Sequence, residues 1–455
     1  MFIGREREIA EIRNKLDSEK KEAVLIYGKR RIGKSYLINE VLSFYSCHSI
    51  YYECLNASME ENIRNFEKRV IDEFGNRFVH FETFQDAFDY LKSNGEKVIV
   101  VIDEYSYLKR SRENRYVDSV FQNIIDNMGD NIRLVLLGSY VSVMQELLEE
   151  DDPLFGRFSL ILHIKEFNYY TSSLFYKEKK VREKIGFYSV FGGSPFVNAY
   201  IDIEKDLREN ITDLLLNPNS AVRSYLENVL LSELSKTGPA NMILSSLSNG
   251  KKKYSEISEQ TGIDTAGALD KQLKNLIRMD IIEKRVPINK PDDRKKVFYE
   301  ISDNLVRFYY AYIFSQRDII YRIGEEAFYD LYILPTLNTF ISHRFEGIAG
   351  EYFQKMVQEK QLKEVYDIGT YWYDDPKNHE NGEFDCALRH KDTYSFYEVK
   401  YYQDPMRQER CRQEAEEVNR LAGKLKIKEI GFICSAGFSF DSDEYDLITG
   451  EQLYM

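Results

Sequence analysis

Two stretches of this sequence combine residue types and spacings that suit phosphate chemistry. The first is GKRRIGKS, Gly28 to Ser35. It fits G-x-x-x-x-G-K-[ST], with an apolar run before it and a helical pattern after it. Gly28 and Gly33 let the backbone turn so that successive N–H groups face phosphate oxygens. The helix starting at Lys34 points its positive end at the same anion. Lys34 is expected to neutralise the β and γ phosphates, and Ser35 to offer its hydroxyl to Mg²⁺. Arg31 and Tyr36 are counted in the same nucleotide site. ATP or ADP is the ligand this pattern predicts.

The second half of that site is VIVVIDEY. Asp103 ends an apolar run, where a carboxylate can hold Mg²⁺ through water. Glu104 follows and can act as general base on an attacking water. Ser139, in LLGSY, ends a further apolar run and can sense the γ-phosphate. Arg157, in DDPLFGRF, follows a Pro/Gly loop. Its guanidinium could stabilise the transferring phosphoryl group, from its own or a neighbouring subunit.

The second stretch is GEFDCALRHKDTYSFYEVKYY, Gly382 to Tyr402. It alternates as a β-hairpin. Tyr397, Val399 and Tyr401 point to one face, and Phe396, Glu398 and Lys400 to the other. Phe384, Cys386 and Leu388 are expected to share the apolar side, with Glu383, Asp385 and Ala387 opposite. A tight turn centred on Lys391 and Asp392 sets Asp385 across from Glu398, with Cβ atoms roughly 5 Å apart. Two facing carboxylates repel unless a cation lies between them. Mg²⁺ or Mn²⁺ held by Asp385 and Glu398 would remove the conflict, and Lys400 could orient a water.

The elements that must carry these residues follow from periodicity. EAVLIYG, KVIVVIDEY and NIRLVLLGSY are near-continuous apolar runs alternating with helical stretches, which predicts a parallel sheet covered on both faces. The expected class is α/β and multidomain: a P-loop core over 1–165, a helical lid over 166–236, a winged helix-turn-helix over 237–302, a helical connector over 303–342 and a small α/β domain over 343–455. In the winged-helix segment, Leu269, Leu273, Leu276 and Ile277 recur at helical spacing. Lys271, Lys274 and Arg278 lie on the other face, and Arg294, Lys295 and Lys296 in the wing turn. Twelve basic and nine acidic residues fall between 251 and 300, a surplus of three in a chain whose net charge is −13. That local surplus predicts DNA contact by a major-groove helix and a basic wing. A lid or protein-docking role is the competing reading of the same module.

FIGRE (2 to 6), GKRRIGKS, VVIDEY, GSY, PLFGRF and FGGSPF occur in that order. The set resembles the archaeal-type P-loop ATPases of the AAA+/STAND class, which also occur in bacteria. The resemblance spans about 1–235 and implies that Phe2, Gly4 and Arg5 lie by the nucleotide base. The C-terminal hairpin resembles the PD-(D/E)xK nuclease domain fused to many of these ATPases. There Asp385 matches the hairpin aspartate, and Glu398 to Lys400 the E-x-K. Glu346 matches the acid of the preceding helix, with Glu351 as its alternative. Phe384 stands where the name has proline.

Composition limits the rest. With 43% hydrophobic and 30% charged residues, the chain is expected to be globular. Five scattered cysteines without a CxxC pair suggest neither a zinc site nor a disulfide framework. No window resembles a signal peptide or membrane span, so a cytoplasmic protein is expected. The leading reading is an ATP hydrolase coupled to DNA binding and cleavage, with homo-oligomers allowed. A STAND-type signalling switch and a winged-helix transcription regulator are its rivals.

Overall fold

The structure is a computed structural model that describes residues 2–110, 116–234, 239–263, 266–375, 379–423 and 425–455. The chain forms two compact units, Met1–Glu166 and Phe167–Met455. The expected boundary at 236/237 lies outside the described residues.

The first unit is built on five parallel strands in the order β2-β3-β4-β1-β5. They are β1 (Glu22–Tyr27), β2 (His48–Glu53), β3 (Val98–Asp103), β4 (Ile132–Gly138) and β5 (Leu160–His163). Every residue of β3 and β4 is buried. Successive residues feed two separate cores: Val98, Val100 and Ile102 one, Ile99 and Val101 the other. Helices therefore cover both faces, as the unbroken apolar runs require. Each such side chain contributes about 1.5–3 kcal/mol on burial. This sheet brings the C-terminal ends of β1, β2, β3 and β4 to one edge, where an open parallel sheet binds ligands.

The second unit holds two sheets. Helices over Ala240–Leu247, Tyr254–Thr261 and Ala266–Arg278 accompany an antiparallel sheet of β6 (Lys252–Lys253), which falls between the first two helices, and β8 (Phe298–Ile301) and β7 (Ile282–Arg285), which follow the third. This is the element order of a winged helix. A mixed sheet follows in the order β13-β12-β11-β10-β9. Its strands are β9 (Asp367–Asp375), β10 (Glu380–Arg389), β11 (Tyr394–Lys400), β12 (Ile427–Cys434) and β13 (Asp446–Thr449). The helix Leu334–Gln358 buries Phe345, Ile348 and Phe353 in the same core as Tyr397 and Val399. The helix Gln408–Ala422 covers the other face through Val418 and Ala422, against Phe396.

The wing is sewn to the edge of the mixed sheet. Ile288 N–H donates to Thr370 O (2.8 Å), and Asn289 Nδ2 donates to Trp372 O (2.8 Å). Trp372 N–H in turn donates to Asn289 Oδ1 (2.9 Å). Lys296 Nζ sits 3.5 Å above the centre of the Trp372 ring, and Phe298 stacks near the same ring. An exposed edge strand invites unwanted pairing, and here the wing covers β9.

The hairpin register is the expected one: Cys386 pairs Tyr397, and Leu388 pairs Ser395. One parity expectation is corrected. Phe384 does not share a face with Cys386 and Leu388; it packs with Ala387 and Phe396, while those two join Tyr397 and Val399. The cause is an irregularity in the β9 pairing between Phe384 and Ala387, which shifts alternation by one residue.

Candidate functional site

The first site lies where β1 ends. A Cβ on Gly28 would meet Ile164 O at 2.2 Å, so glycine alone lets the chain leave β1 beside the end of β5. Gly33 caps the helix Lys34–Leu42 at φ 93°, a left-handed conformation suited to glycine. The buried Lys34 ammonium donates to Gly28 O (2.9 Å) and Lys29 O (3.0 Å). Ser35 Oγ donates to Asp103 Oδ2 at 2.8 Å. Ser139 Oγ donates to both oxygens of Glu104, at 2.5 and 2.6 Å. The structure thus brings together the loop, Asp103, Glu104 and Ser139.

The neighbours of this set fall into place by element. Phe2 packs on the core that holds Ile32 and Leu37. Gly4 (φ 69°) and Arg5 (φ 71°) are both left-handed, and Arg5 Nη1 pairs Glu8 at 3.0 Å. Its other nitrogen reaches Lys165 O. Arg31 is left-handed within the loop, and Tyr36 is exposed on the surface.

Arg157 is not brought to this site. Its guanidinium pairs Asp126 (3.1 Å) and donates to Pro153 O (2.8 Å). Asp126 O in turn accepts from Lys21 Nζ (2.6 Å), and Lys21 immediately precedes β1. The phosphate loop follows β1 at its other end. Six residues of strand separate the two by ~20 Å. Arg157 therefore cannot touch a nucleotide on its own loop in this arrangement.

Three residues here escaped the sequence reading. Tyr51 donates its hydroxyl to Asp103 Oδ2. Glu53 stands in register beside Asp103, and its carboxyl is pushed up by burial and by Asp103 and Glu104. Arg30 donates to the hydroxyls of Tyr107 (2.9 Å) and Tyr140 (2.6 Å). The signal for Tyr51 and Glu53 was available: HSIYYE ends at the sheet edge that gathers the other site residues.

The second site surrounds β10 and β11. The Asp385 carboxyl is pushed up to about 7, first by burial and then by Glu346 and Glu398; Lys251 and Lys400 oppose the shift. Lys400 Nζ bonds Glu398 Oε2 at 2.9 Å and lies 3.7 Å from Glu414. Glu346 lies 3.6 Å from the His343 ring, whose pKa it raises. Glu351, the alternative helix acid, is used elsewhere: it accepts from Tyr169 N–H (2.9 Å) and the Tyr188 hydroxyl (2.8 Å).

Among the described residues, no three His, Cys, Asp or Glu side chains form a set that could hold a metal ion. Glu346, Asp385 and Glu398, the acids expected to hold a metal ion, act on one another electrostatically but are not arranged as such a set. Ammonium groups hold the acids instead, Lys400 on Glu398 and Lys251 on Glu383. The donor chemistry nonetheless suits a divalent ion. A half-buried carboxyl crowded by two others gains most from a cation.

The DNA set is divided. Lys271, Lys274 and Arg278 are exposed on the helix Ala266–Arg278, with Lys274 paired to Asp270 (2.8 Å). Arg294 and Lys295 are exposed in the wing turn. Lys296 is not free for phosphate, because its ammonium lies on Trp372.

Comparison with known proteins agrees with the first unit. Residues 2–197 match the family model of an ATPase domain predominantly from Archaea. Residues 309–417 match a family described as archaea bacterial proteins of unknown function. An uncharacterized protein of Methanocaldococcus jannaschii is 29% identical over 409 residues, 88% of each chain. The Walker-type ATPase PABY2304 of Pyrococcus abyssi shares the fold at a TM-score of 0.50 and 20% identity, over 68% of this chain and 96% of that one. The ORC2 protein of Aeropyrum pernix aligns at a TM-score of 0.45 and 12% identity, over 70% and 92%. No helix among the described residues is long and apolar enough to cross a membrane.

Proposed function

We propose that nucleotide turnover in the first unit is coupled to DNA binding and metal-dependent phosphodiester cleavage in the second. In this reading 166–236 is a lid, 237–302 the DNA-binding winged helix, 303–342 a connector and 343–455 the nuclease-like domain.

In the first unit, Lys34 exchanges two loop carbonyls for phosphate oxygens. Ser35 and Asp103, already 2.8 Å apart, would hold Mg²⁺. Glu104 takes a proton from the attacking water. Ser139 holds both Glu104 oxygens until a γ-phosphate draws its hydroxyl away.

In the second unit, Asp385 and Glu398 would hold Mg²⁺ or Mn²⁺, with Glu346 as the third acid. When bound, the ion supplies charge to polarise a phosphate. Lys400 orients a water and stabilises charge on the phosphate. The observation that supports cleavage is the charge crowding at Asp385, where Glu346 and Glu398 from two other elements act on one half-buried carboxyl.

The test is incubation of the protein with plasmid and linear DNA, Mg²⁺ or Mn²⁺, with and without ATP. Nicking that disappears in Lys400→Ala is expected. Tight DNA binding without cleavage would instead indicate a winged-helix regulator. Neither binding nor cleavage would indicate a signalling switch.

A further inference from the structure

The winged-helix segment does more than sit beside the acid site. Lys251, just before β6, forms an ion pair with Glu383 of β10. Asp385 and Glu346 both act on its ammonium electrostatically. It thus pairs one acid of β10 directly and feels Asp385, Glu346 and, more strongly, Glu300 of its own segment, with Glu383 lying 132 residues further along the chain.

Two arrangements would put an ammonium there. A plug would neutralise the acids and leave when the site works. A wall residue would stay and hold substrate. Exposure separates them. The Lys251 side chain keeps 32% of its surface exposed, against 15% for Glu383. The lysine therefore sits on the solvent side of Glu383, level with the equally exposed Glu346 (30%), where a phosphate can arrive. The joint separates them too. Backbone pairing to β9, the reciprocal Asn289–Trp372 bonds and the Lys296 and Phe298 contacts on Trp372 form a continuous seam. Opening that seam would break these hydrogen bonds and ring contacts together.

We propose that Lys251 is a further substrate-contacting residue of the C-terminal site, placed to take a phosphate oxygen of a DNA strand. This rests on the nuclease reading above. Lys400 pairs Glu398 and Glu414 while Lys251 pairs Glu383 alone, so a phosphate would draw Lys251 from its single acid and leave Lys400 to the water. A second ammonium on the rim divides the two tasks. It also gives the winged helix a defined role in cleavage: it supplies one wall of the site.

The test compares the full chain with Lys251→Ala and Lys251→Arg. Binding of a fluorescein-labelled DNA duplex is measured in Ca²⁺ across a salt series, Mn²⁺ binding by calorimetry without DNA, and cleavage in Mn²⁺. Lys251→Ala is expected to weaken DNA binding, with the slope of log K against log salt reduced by about 0.9, one phosphate contact. Its Mn²⁺ binding is expected to be kept or tightened, because a competing cation is gone. Lys251→Arg is expected to restore most of the DNA affinity. Faster cleavage by Lys251→Ala would overturn the assignment in favour of a plug. Unchanged affinity, slope and cleavage would reduce Lys251 to a structural partner of Glu383. A wild-type chain that neither binds Mn²⁺ nor cleaves would sink the nuclease reading itself, and the assignment with it.

Discussion

The two acid sites hold their carboxylates in opposite ways. In the first unit, neutral hydroxyls do it: Ser35 and Tyr51 on Asp103, and Ser139 on Glu104. In the second, ammonium groups do it: Lys400 on Glu398 and Lys251 on Glu383. A hydroxyl gives up an acid at small cost and can turn to a new partner. A half-buried ammonium gives up an acid only when another cation takes its place. In the proposed function, the nucleotide site is thus ready for exchange on each turnover, whereas the C-terminal site would wait for a divalent ion.

The largest effect tests the exchangeable site. Lys34→Ala should abolish nucleotide binding, measured by equilibrium dialysis. Glu104→Gln should keep binding but lower ATP turnover ~10²–10⁴-fold, the usual worth of a general base. Unchanged turnover in both variants would remove the distinction between the sites.

The next test concerns charge that is not exchangeable. Glu300 is buried between Arg285 and Arg307, which come from β7 and the helix Asn304–Phe308. Burial alone would raise its pKa, yet Arg285, Arg307 and Arg344 pull it down to about 2. Glu300→Gln strands buried arginines and should destabilise the second unit by about 3–5 kcal/mol, read by chemical denaturation. A depressed carboxyl stabilises above its unfolded pKa. This contribution should therefore be complete above pH 4.5 and fade as pH falls toward 2. A variant as stable as the parent at neutral pH would show the cluster to be dispensable.

How much of this was readable in advance depends on the range of the interaction. The phosphate loop was readable because strand, turn and helix are contiguous and each constrains the next. The hairpin register was readable because a short turn fixes which residues face each other. The side of Phe384 was not, because the irregularity arises in pairing with β9, a different strand. The position of Arg157 was not, because a motif gives order along the chain but not the end of the sheet to which a loop returns. Lys251 and Tyr51 were missed for the same reason. Each meets its acid across a tertiary contact, 132 and 52 residues away.

A smaller effect probes the hydroxyl on the base. Ser139→Ala removes both hydrogen bonds to Glu104. Hydrogen bonds to charged groups contribute about 1.5–3 kcal/mol, so turnover should change by ~10–150-fold with nucleotide affinity nearly kept. A change confined to affinity would assign Ser139 to binding alone.

The smallest effect separates the two hydroxyls on Asp103. Ser35 and Tyr51 donate to the same oxygen, Oδ2. When Ser35 turns to Mg²⁺, Tyr51 remains on Oδ2 and the Glu104 N–H remains on Oδ1 (2.8 Å) to orient the carboxylate. Burial and Asp103 both push the Tyr51 pKa up, so it stays a donor across the physiological range. Tyr51→Phe keeps the ring and removes that donor. The loss is about 1 kcal/mol, a few-fold in the Mg²⁺ concentration that half-saturates ATP turnover, with the maximal rate nearly unchanged. An equal loss without any shift in Mg²⁺ dependence would mean that Tyr51 only packs β2 against β3. The first site would then rely on Ser35 and the Glu104 N–H to hold Asp103, and its contrast with the ammonium-held C-terminal acids would sharpen.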